Sequence, residues 1–166
     1  MKNHQEFSGK KLEYVDTVNQ ERFIPYVVET SGGVTRSLMA FLCNAYNEDE
    51  APDDKGNPEK RVVLKFHPKL SPVIVAVFPL VNKDGMPEYA QKIYKDLHKN
   101  FRTQYDTSGA IGRRYRRQDE IGTPFCVTVD GQTLQDNTVT IRERDTMIQE
   151  RIQSDSIREY LNNKLF

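Results

Sequence analysis

The stretch Val73-Ile-Val-Ala-Val-Phe78 is a continuous run of apolar, mostly β-branched residues. Such a run is typical of a strand that is covered on both faces, as in a sheet with helices on each side. Asp84, Gly85 and Pro87 follow it and indicate the start of a helix. Apolar residues then recur every three or four positions, which predicts a helix packed on the sheet. These residues are Met86, Tyr89, Ile93, Tyr94, Leu97 and Phe101.

Strand and helix patterns continue to alternate toward the C-terminus through short connections. Such alternation favours an α/β fold with a mixed, mostly parallel sheet. Ser154 is predicted to cap a final helix that ends at Phe166. The other predicted elements are a strand at 103–106, a helix at 109–118, and strands at 125–129 and 138–144.

Upstream, residues 23–42 predict a buried strand, a tight turn and a helix. Val27 and Val28 are typical of a strand, and two adjacent glycines, Gly32 and Gly33, permit the turn. The helix that follows is predicted from apolar residues at helical spacing. They are Leu38, Phe41, Leu42 and Ala45.

This junction carries one carboxylate, Glu29, and one guanidinium, Arg36. A helix N-terminus presents free N–H groups and partial positive charge, so an anion bound there would meet both the backbone and Arg36. Glu29 would face a cation. The alternative is an ordinary glycine turn with a surface salt bridge.

Between the two regions, residues 47–60 are acidic, contain Pro and Gly, and show no apolar period. They are predicted to form a mobile surface loop. Pro68 and Pro72 then indicate a stiff hinge, which places a domain boundary between residues 1–70 and 71–166.

The composition is that of a globular protein. The 166 residues are 37% hydrophobic and 29% charged, and 24 Lys+Arg balance 24 Asp+Glu, so any affinity for RNA must come from charge clustered on one face. Two cysteines are too few for a disulfide framework or a zinc cage, and the three histidines do not cluster in sequence, so no metal site is predicted. No apolar stretch approaches the roughly 20 residues of a membrane span, so a cytoplasmic protein is expected.

Arginines cluster in the second region. Four lie on the helix that follows Gly112, and two more lie on the strand at 138–144. The two strand arginines are predicted to share one face, which would place a basic surface beside the helix and suit single-stranded RNA. The alternative is a solvated, internally paired helix face. The six arginines are Arg113, Arg114, Arg116, Arg117, Arg142 and Arg144.

Pro25-Tyr-Val-Val-Glu29-x-Ser31-x-Gly33-x-x-Arg36 resembles motif 3 of class II aminoacyl-tRNA synthetases, in the form found in glycyl-tRNA synthetases. The segments 7–14, 61–72 and 112–125 also resemble that family, so the likeness covers nearly the whole chain. The resemblance implies a five-stranded anticodon-binding domain at 71–166, preceded by the C-terminal remnant of an antiparallel α+β catalytic domain at 1–70. Thr30 and Gly32 depart from the usual pattern, where proline and a larger residue are common.

The resemblance also implies roles for individual residues. Arg36 would be catalytic, gripping the terminal phosphate of ATP, which is used with Mg²⁺ as a substrate. Residues 29–33, namely Glu29, Thr30, Ser31, Gly32 and Gly33, would bind glycine. Residues 33–36, namely Gly33, Val34, Thr35 and Arg36, would face ATP. The six arginines would bind tRNA(Gly), and the parent enzyme would be a homodimer.

Motifs 1 and 2 of the family are not encoded in these 166 residues, so the chain is expected to be a C-terminal fragment that is inactive by itself. Two alternatives stay open. One is a non-catalytic, nucleic-acid-binding accessory protein with a synthetase-like fold. The other is a fragment of a prolyl-, threonyl- or histidyl-tRNA synthetase, against which the loop Glu29-Thr-Ser-Gly-Gly33 argues.

Overall fold

A computed structural model describes residues 1–52 and 57–165 of the chain. The chain divides into two compact units, residues 1–37 and the chain from Leu38 onward. The domain boundary predicted between residues 70 and 71 stays a prediction. The packing places the first division earlier, inside a helix.

The first unit is small and has little interior. Helix α1 (Lys2–Ser8) precedes strands β1 (Tyr14–Asp16) and β2 (Glu21–Phe23), which pair antiparallel. None of residues 1–37 is buried. The predicted buried strand through Val27 and Val28 is wrong, because residues 24–33 have no regular structure and both valine side chains are exposed.

Helix α2 (Val34–Ala45) begins directly after Gly33, as predicted, and Arg36 lies in its first turn. The backbone N–H of Ser37 donates to the carbonyl of Gly33 at 2.9 Å, which closes that first turn. The apolar side chains of the helix are largely exposed, and Ala45 is its one buried residue.

Strands β3 (Tyr46–Pro52) and β4 (Pro58–Leu64) form a long antiparallel hairpin. The prediction of a mobile loop over 47–60 is therefore wrong where the structure describes it, and its part at 53–56 lies outside the described residues. The register explains how a charged segment forms strands. Acidic residues of β3 face basic residues of β4, with Asp49 opposite Arg61 and Glu50 opposite Lys60, and opposite charges across a ladder are favourable.

The core of the second unit is a five-stranded mixed sheet of order β6-β5-β7-β8-β9. Strand β5 pairs parallel with β6 and β7, while β8 pairs antiparallel with both β7 and β9. Four strands thus point one way and β8 alone is reversed, so the predicted mixed, mostly parallel five-stranded sheet is confirmed. The strands are β5 (Val75–Pro79), β6 (Thr103–Tyr105), β7 (Phe125–Val129), β8 (Thr138–Glu143) and β9 (Gln149–Gln153).

Helices cover the two faces of the sheet unequally. Helices α3 (Met86–Leu97) and α6 (Ile157–Leu165) pack on one face and form the main apolar core with alternate residues of β5, β7 and β8. Helix α4 (Ile111–Ile121) lies on the other face, where Ile111 and Tyr115 pack against a small cluster of Ala76, Phe78 and Cys126. Cys126 is a buried core residue, and its burial raises the pKa of the thiol far above its ordinary value.

In the second unit, the short helix α5 (Thr133–Asp136) and strand β9 are among the elements that were not predicted. Strand β9 lies at the edge of the sheet and its sequence, Gln-Glu-Arg-Ile-Gln, has a single apolar residue. No alternation of apolar and polar residues therefore marks it as a strand. The predicted cap at Ser154 is also wrong, since a 3-10 turn at Ser154–Ser156 precedes α6. The Ser154 hydroxyl instead lies 3.1 Å from the hydroxyl of Tyr89.

Candidate nucleic-acid interface

The residues that resemble motif 3 are exposed in the first unit. Glu29, the loop to Gly33, and Arg36 all lie on the surface. A hollow of about 820 Å³ is lined by the start of α1, residues 23–27 and Glu29, but not by Arg36. This hollow contains the predicted glycine carboxylate but not the predicted ATP arginine, and the roles of both residues stay predictions.

The arginines of α4 divide into an inner and an outer set. Arg114 points at the sheet with 3% of its surface exposed. Its guanidinium donates to the carbonyl of Pro79, at the end of β5, and to the carbonyl of Gly109 before the helix. Burial of this kind lowers the pKa of Arg114. This side chain fastens α4 to the sheet and is closed to a ligand.

Asp119 is the centre of the largest buried charge cluster among the described residues. Arg142 of β8 donates to both of its oxygens, at 2.9 and 3.0 Å, and Arg61 of β4 donates at 3.3 Å. Arg61 also donates two hydrogen bonds of 2.7 Å to the carboxylate of Asp49. Hydrogen bonds from Arg61 hold the pKa of Asp49 at about 2, below its ordinary value of 3.8. The cluster ties the hairpin, α4 and the sheet together.

Arg142 also lies against an aromatic ring. Its guanidinium carbon is 4.9 Å from the ring centroid of Tyr115, and the hydroxyl of that tyrosine lies 2.6 Å from the hydroxyl of Thr128. Burial raises the pKa of Tyr115 to about 12, so its hydroxyl stays protonated. The contact leaves the ring face occupied by a neighbouring cation rather than open to a base.

Arg144, just after β8, is 2% exposed. It donates to the carbonyls of Gly122 and Phe66, at 2.8 and 2.9 Å, and to the carboxylate of Asp145. The predicted basic surface of Arg142 and Arg144 is therefore wrong. The two side chains do share a face, but α4 and the hairpin cover that face, and internal oxygens take up their donors.

The outer set consists of the other three arginines of α4. Arg113 is exposed, and no partner for its guanidinium is found in residues 1–52 and 57–165. Arg116 is partly exposed, donates to the carbonyl of Pro52 at 3.1 Å, and lies 3.9 Å from Asp119. Arg117 is paired with Asp106 at 2.6 Å, which lowers the pKa of that carboxyl against the opposing effect of burial.

An open groove of about 620 Å³ runs along two arginines of the outer set, Arg113 and Arg116. One wall is the start of α4 with Arg113 and Arg116, and the opposite wall is the β8–β9 hairpin with Met147 and Gln149. The β3–β4 hairpin contributes Pro52 and Glu59 to the same groove, and Arg142 and Tyr115 also line it. Two guanidiniums on one wall can bind phosphates, which makes this groove the candidate nucleic-acid interface.

The sequence did not reveal the partners that sort these arginines. Asp49 and Glu59 were assigned no role, because residues 47–60 were predicted to form a mobile loop, and no partner in a distant segment was predicted for Arg61 or Asp119. No local pattern could have found the cluster, since Arg61 and Asp119 are 58 residues apart. The one available signal was the run of opposite charges in 48–50 and 59–61.

Comparison with known families fits this geometry. The sequence profile of the family described as "Anticodon binding domain" matches residues 74–164, which span the five-stranded sheet and α3 to α6. The five-stranded sheet and its helices are thus an α/β module of the class that this family description names. The chain belongs to the anticodon binding domain family.

Several curated relatives of this chain are named glycine–tRNA ligase. The relative from Rhodopirellula baltica is 53% identical over 95% of this chain. Those from Corynebacterium efficiens and Streptomyces coelicolor are 56% and 54% identical over 98% and 99% of it. The predicted resemblance to glycyl-tRNA synthetases is confirmed. The chain covers 30% to 36% of the length of these relatives.

A solved structure has the same fold. It is the RNA-binding domain of threonyl-tRNA synthetase from Cryptosporidium parvum, which superimposes on this chain with a TM-score of 0.55 and 23% sequence identity. The superposition covers 60% of this chain and 25% of the solved chain. Among the described helices, none has the length and apolar character that a membrane span requires. Across the described residues, no three His, Cys, Asp or Glu side chains are grouped so that they could hold a metal ion.

Proposed function

We propose that this chain is the tRNA-binding part of a glycine–tRNA ligase and that it binds tRNA(Gly). The family match over residues 74–164 and the relatives at 53–56% identity support the proposal. The observation that carries it in the structure is the groove beside α4, where Arg113 and Arg116 line one wall. Guanidiniums exposed along a groove can fork onto phosphates of a single strand.

The activity of the whole enzyme is part of the same proposal. It would activate glycine with ATP and Mg²⁺, transfer the glycyl group to tRNA(Gly), and act in the cytoplasm as a homodimer. Glu29 to Gly33 would hold glycine, and Arg36 would meet the ATP phosphates at the start of α2, where the helix dipole also favours an anion. These side chains are exposed, and the hollow that contains Glu29 does not contain Arg36, so the reaction would need more of the enzyme than this chain.

Binding of an anticodon stem-loop RNA at a series of salt concentrations tests the proposal. Arg113→Gln and Arg116→Gln should each weaken binding and each lower the salt slope by roughly one, because each removes about one phosphate contact. Lys83→Gln is the control, since its side chain is exposed in the loop after β5 and does not line the groove. Unchanged slopes in both arginine variants would contradict the groove as the binding site.

A further inference from the structure

Glu59 is the one carboxylate among the described residues that line the arginine groove. It lies on β4 two residues before Arg61, and in a strand such residues share a face. Arg61 points into the cluster at Asp119 under α4, so the strand directs Glu59 toward the same helix. The side chain of Glu59 is 63% exposed, which leaves its oxygens open to a ligand in the groove.

The nearest arginine does not occupy this carboxylate. Nη2 of Arg116 lies 4.0 Å from an oxygen of Glu59, beyond hydrogen-bond distance, and donates instead to the carbonyl of Pro52 at 3.1 Å. The backbone of the hairpin thus holds the guanidinium at the groove, and the carboxylate beside it keeps its acceptor capacity. The two groups offer a donor and an acceptor side by side.

A carboxylate in a groove that binds phosphates repels the RNA backbone. It stabilises a complex only if the strand presents a donor to it. The donors of an unpaired strand are the ribose 2′-hydroxyls, which are the same at every nucleotide, and the amino and imino groups of the base edges, which alone can give a preference between bases. Cytosine carries the 4-amino donor that a carboxylate accepts, whereas uracil carries the acceptor O4 at the same position. A glutamate therefore favours cytosine over uracil through attraction to one and repulsion of the other.

We propose that Glu59 reads a cytosine of the bound RNA through its 4-amino group, while Arg113 and Arg116 hold the neighbouring phosphates. This inference rests on the proposed function, because a tRNA that decodes the glycine codons carries cytosines at two of its three anticodon positions. The hairpin lies outside residues 74–164 that match the family profile. It would therefore supply base discrimination from outside the matched domain.

The test uses the full chain and two stem-loop RNAs that differ by a cytosine-to-uracil change at the anticodon, with binding measured by fluorescence anisotropy at fixed salt. The unmodified chain should prefer the cytosine loop by roughly tenfold. Glu59→Gln should remove this preference, because the amide of glutamine can donate to O4 of uracil as well as accept from cytosine. Glu50→Gln is the matched control on the same hairpin, exposed but outside the groove, and should keep the preference.

Two results would overturn the inference. One is a chain without preference between the loops. The other is a Glu59→Gln variant that binds both loops more tightly and keeps the full preference, since the carboxylate would then act only by repelling phosphates. The proposed function fails separately, if neither loop binds with a salt dependence that Arg113→Gln reduces.

Discussion

Individual charges decide which arginines of this chain are structural and which are open to a ligand. Arg114, Arg142 and Arg144 are nearly fully buried, and backbone carbonyls or carboxylates accept from each guanidinium. Removing one partner of a buried pair leaves an uncompensated charge and typically costs about 3–5 kcal/mol. Arginine substitutions at these positions would therefore change folding, whereas substitutions of the exposed groove residues Arg113 and Arg116 can report on RNA binding.

Asp49 links stability to pH at the residue scale. Its pKa in the folded chain is about 2 because Arg61 donates two hydrogen bonds to it, against an ordinary value of 3.8. A lowered carboxyl pKa stabilises the fold fully above the ordinary value and loses this contribution as the pH falls through the folded pKa. The shift corresponds to at most about 2 kcal/mol in the free energy of unfolding.

Asp49→Asn should accordingly lower the free energy of unfolding by about 1–2 kcal/mol at pH 7. The difference from the unmodified chain should shrink between pH 4 and pH 2, where the carboxylate becomes protonated in both folded and unfolded chains. Urea unfolding at a series of pH values measures it. Glu120→Gln, an exposed carboxylate on α4, is the control. A difference that stays constant down to pH 2 would show that the ion pair with Arg61 contributes nothing.

At the scale of elements, the β3–β4 hairpin shows what a composition-based reading misses. Its residues are polar and charged, so no apolar period marks the strands. Pairing is instead specified by opposite charges in register and by the burial of alternate residues of one face, Ala51, Arg61 and Val63. The charge pairing and the buried face can be recognised only once the partner strand and α4 are known to pack against each other.

Gly122 is where α4 ends and meets this hairpin. Its φ is 84°, in the left-handed region, and its N–H donates back to the carbonyl of Asp119. A Cβ at this position would lie 2.7 Å from Cδ2 of Phe66 and 2.8 Å from the carbonyl oxygen of Leu64. The helix can therefore end against the hairpin only with glycine at this position.

Gly122→Ala should destabilise the chain more than Gly109→Ala by about 1–3 kcal/mol. Both glycines have a positive φ, 84° and 77°, so both substitutions carry the same backbone strain of about 1–2 kcal/mol. Gly109 is the matched control because a Cβ there meets nothing within 4 Å. Chemical denaturation of the two variants measures the difference. An equal loss in both would mean that Leu64 and Phe66 move aside without cost.

For the molecule as a whole, sequence patterns predicted the α/β sheet because its central strands are continuous apolar runs and α3 repeats every three or four residues. They did not predict edge strand β9, the hairpin, or the sorting of the arginines. Those features depend on contacts between residues far apart in sequence, such as Arg144 with Phe66 and Arg61 with Asp119. The family could be recognised because local motifs are enough for that. The geometry of the site could not be predicted, because it depends on contacts between distant segments.

The two units differ in how much they bury, which predicts how they behave apart. None of residues 1–37 is buried, whereas the apolar core and the groove lie entirely in the unit that begins at Leu38. A chain that starts at Gly33, directly before α2, should therefore keep the same denaturant midpoint and bind the stem-loop RNA with unchanged affinity, because this truncation leaves α2 whole and removes no residue of the core or the groove. The isolated segment 1–37 should show no cooperative thermal transition by circular dichroism, since it cannot offset its conformational entropy through burial. A lower midpoint or weaker RNA binding in the truncated chain would show that the first unit stabilises the second.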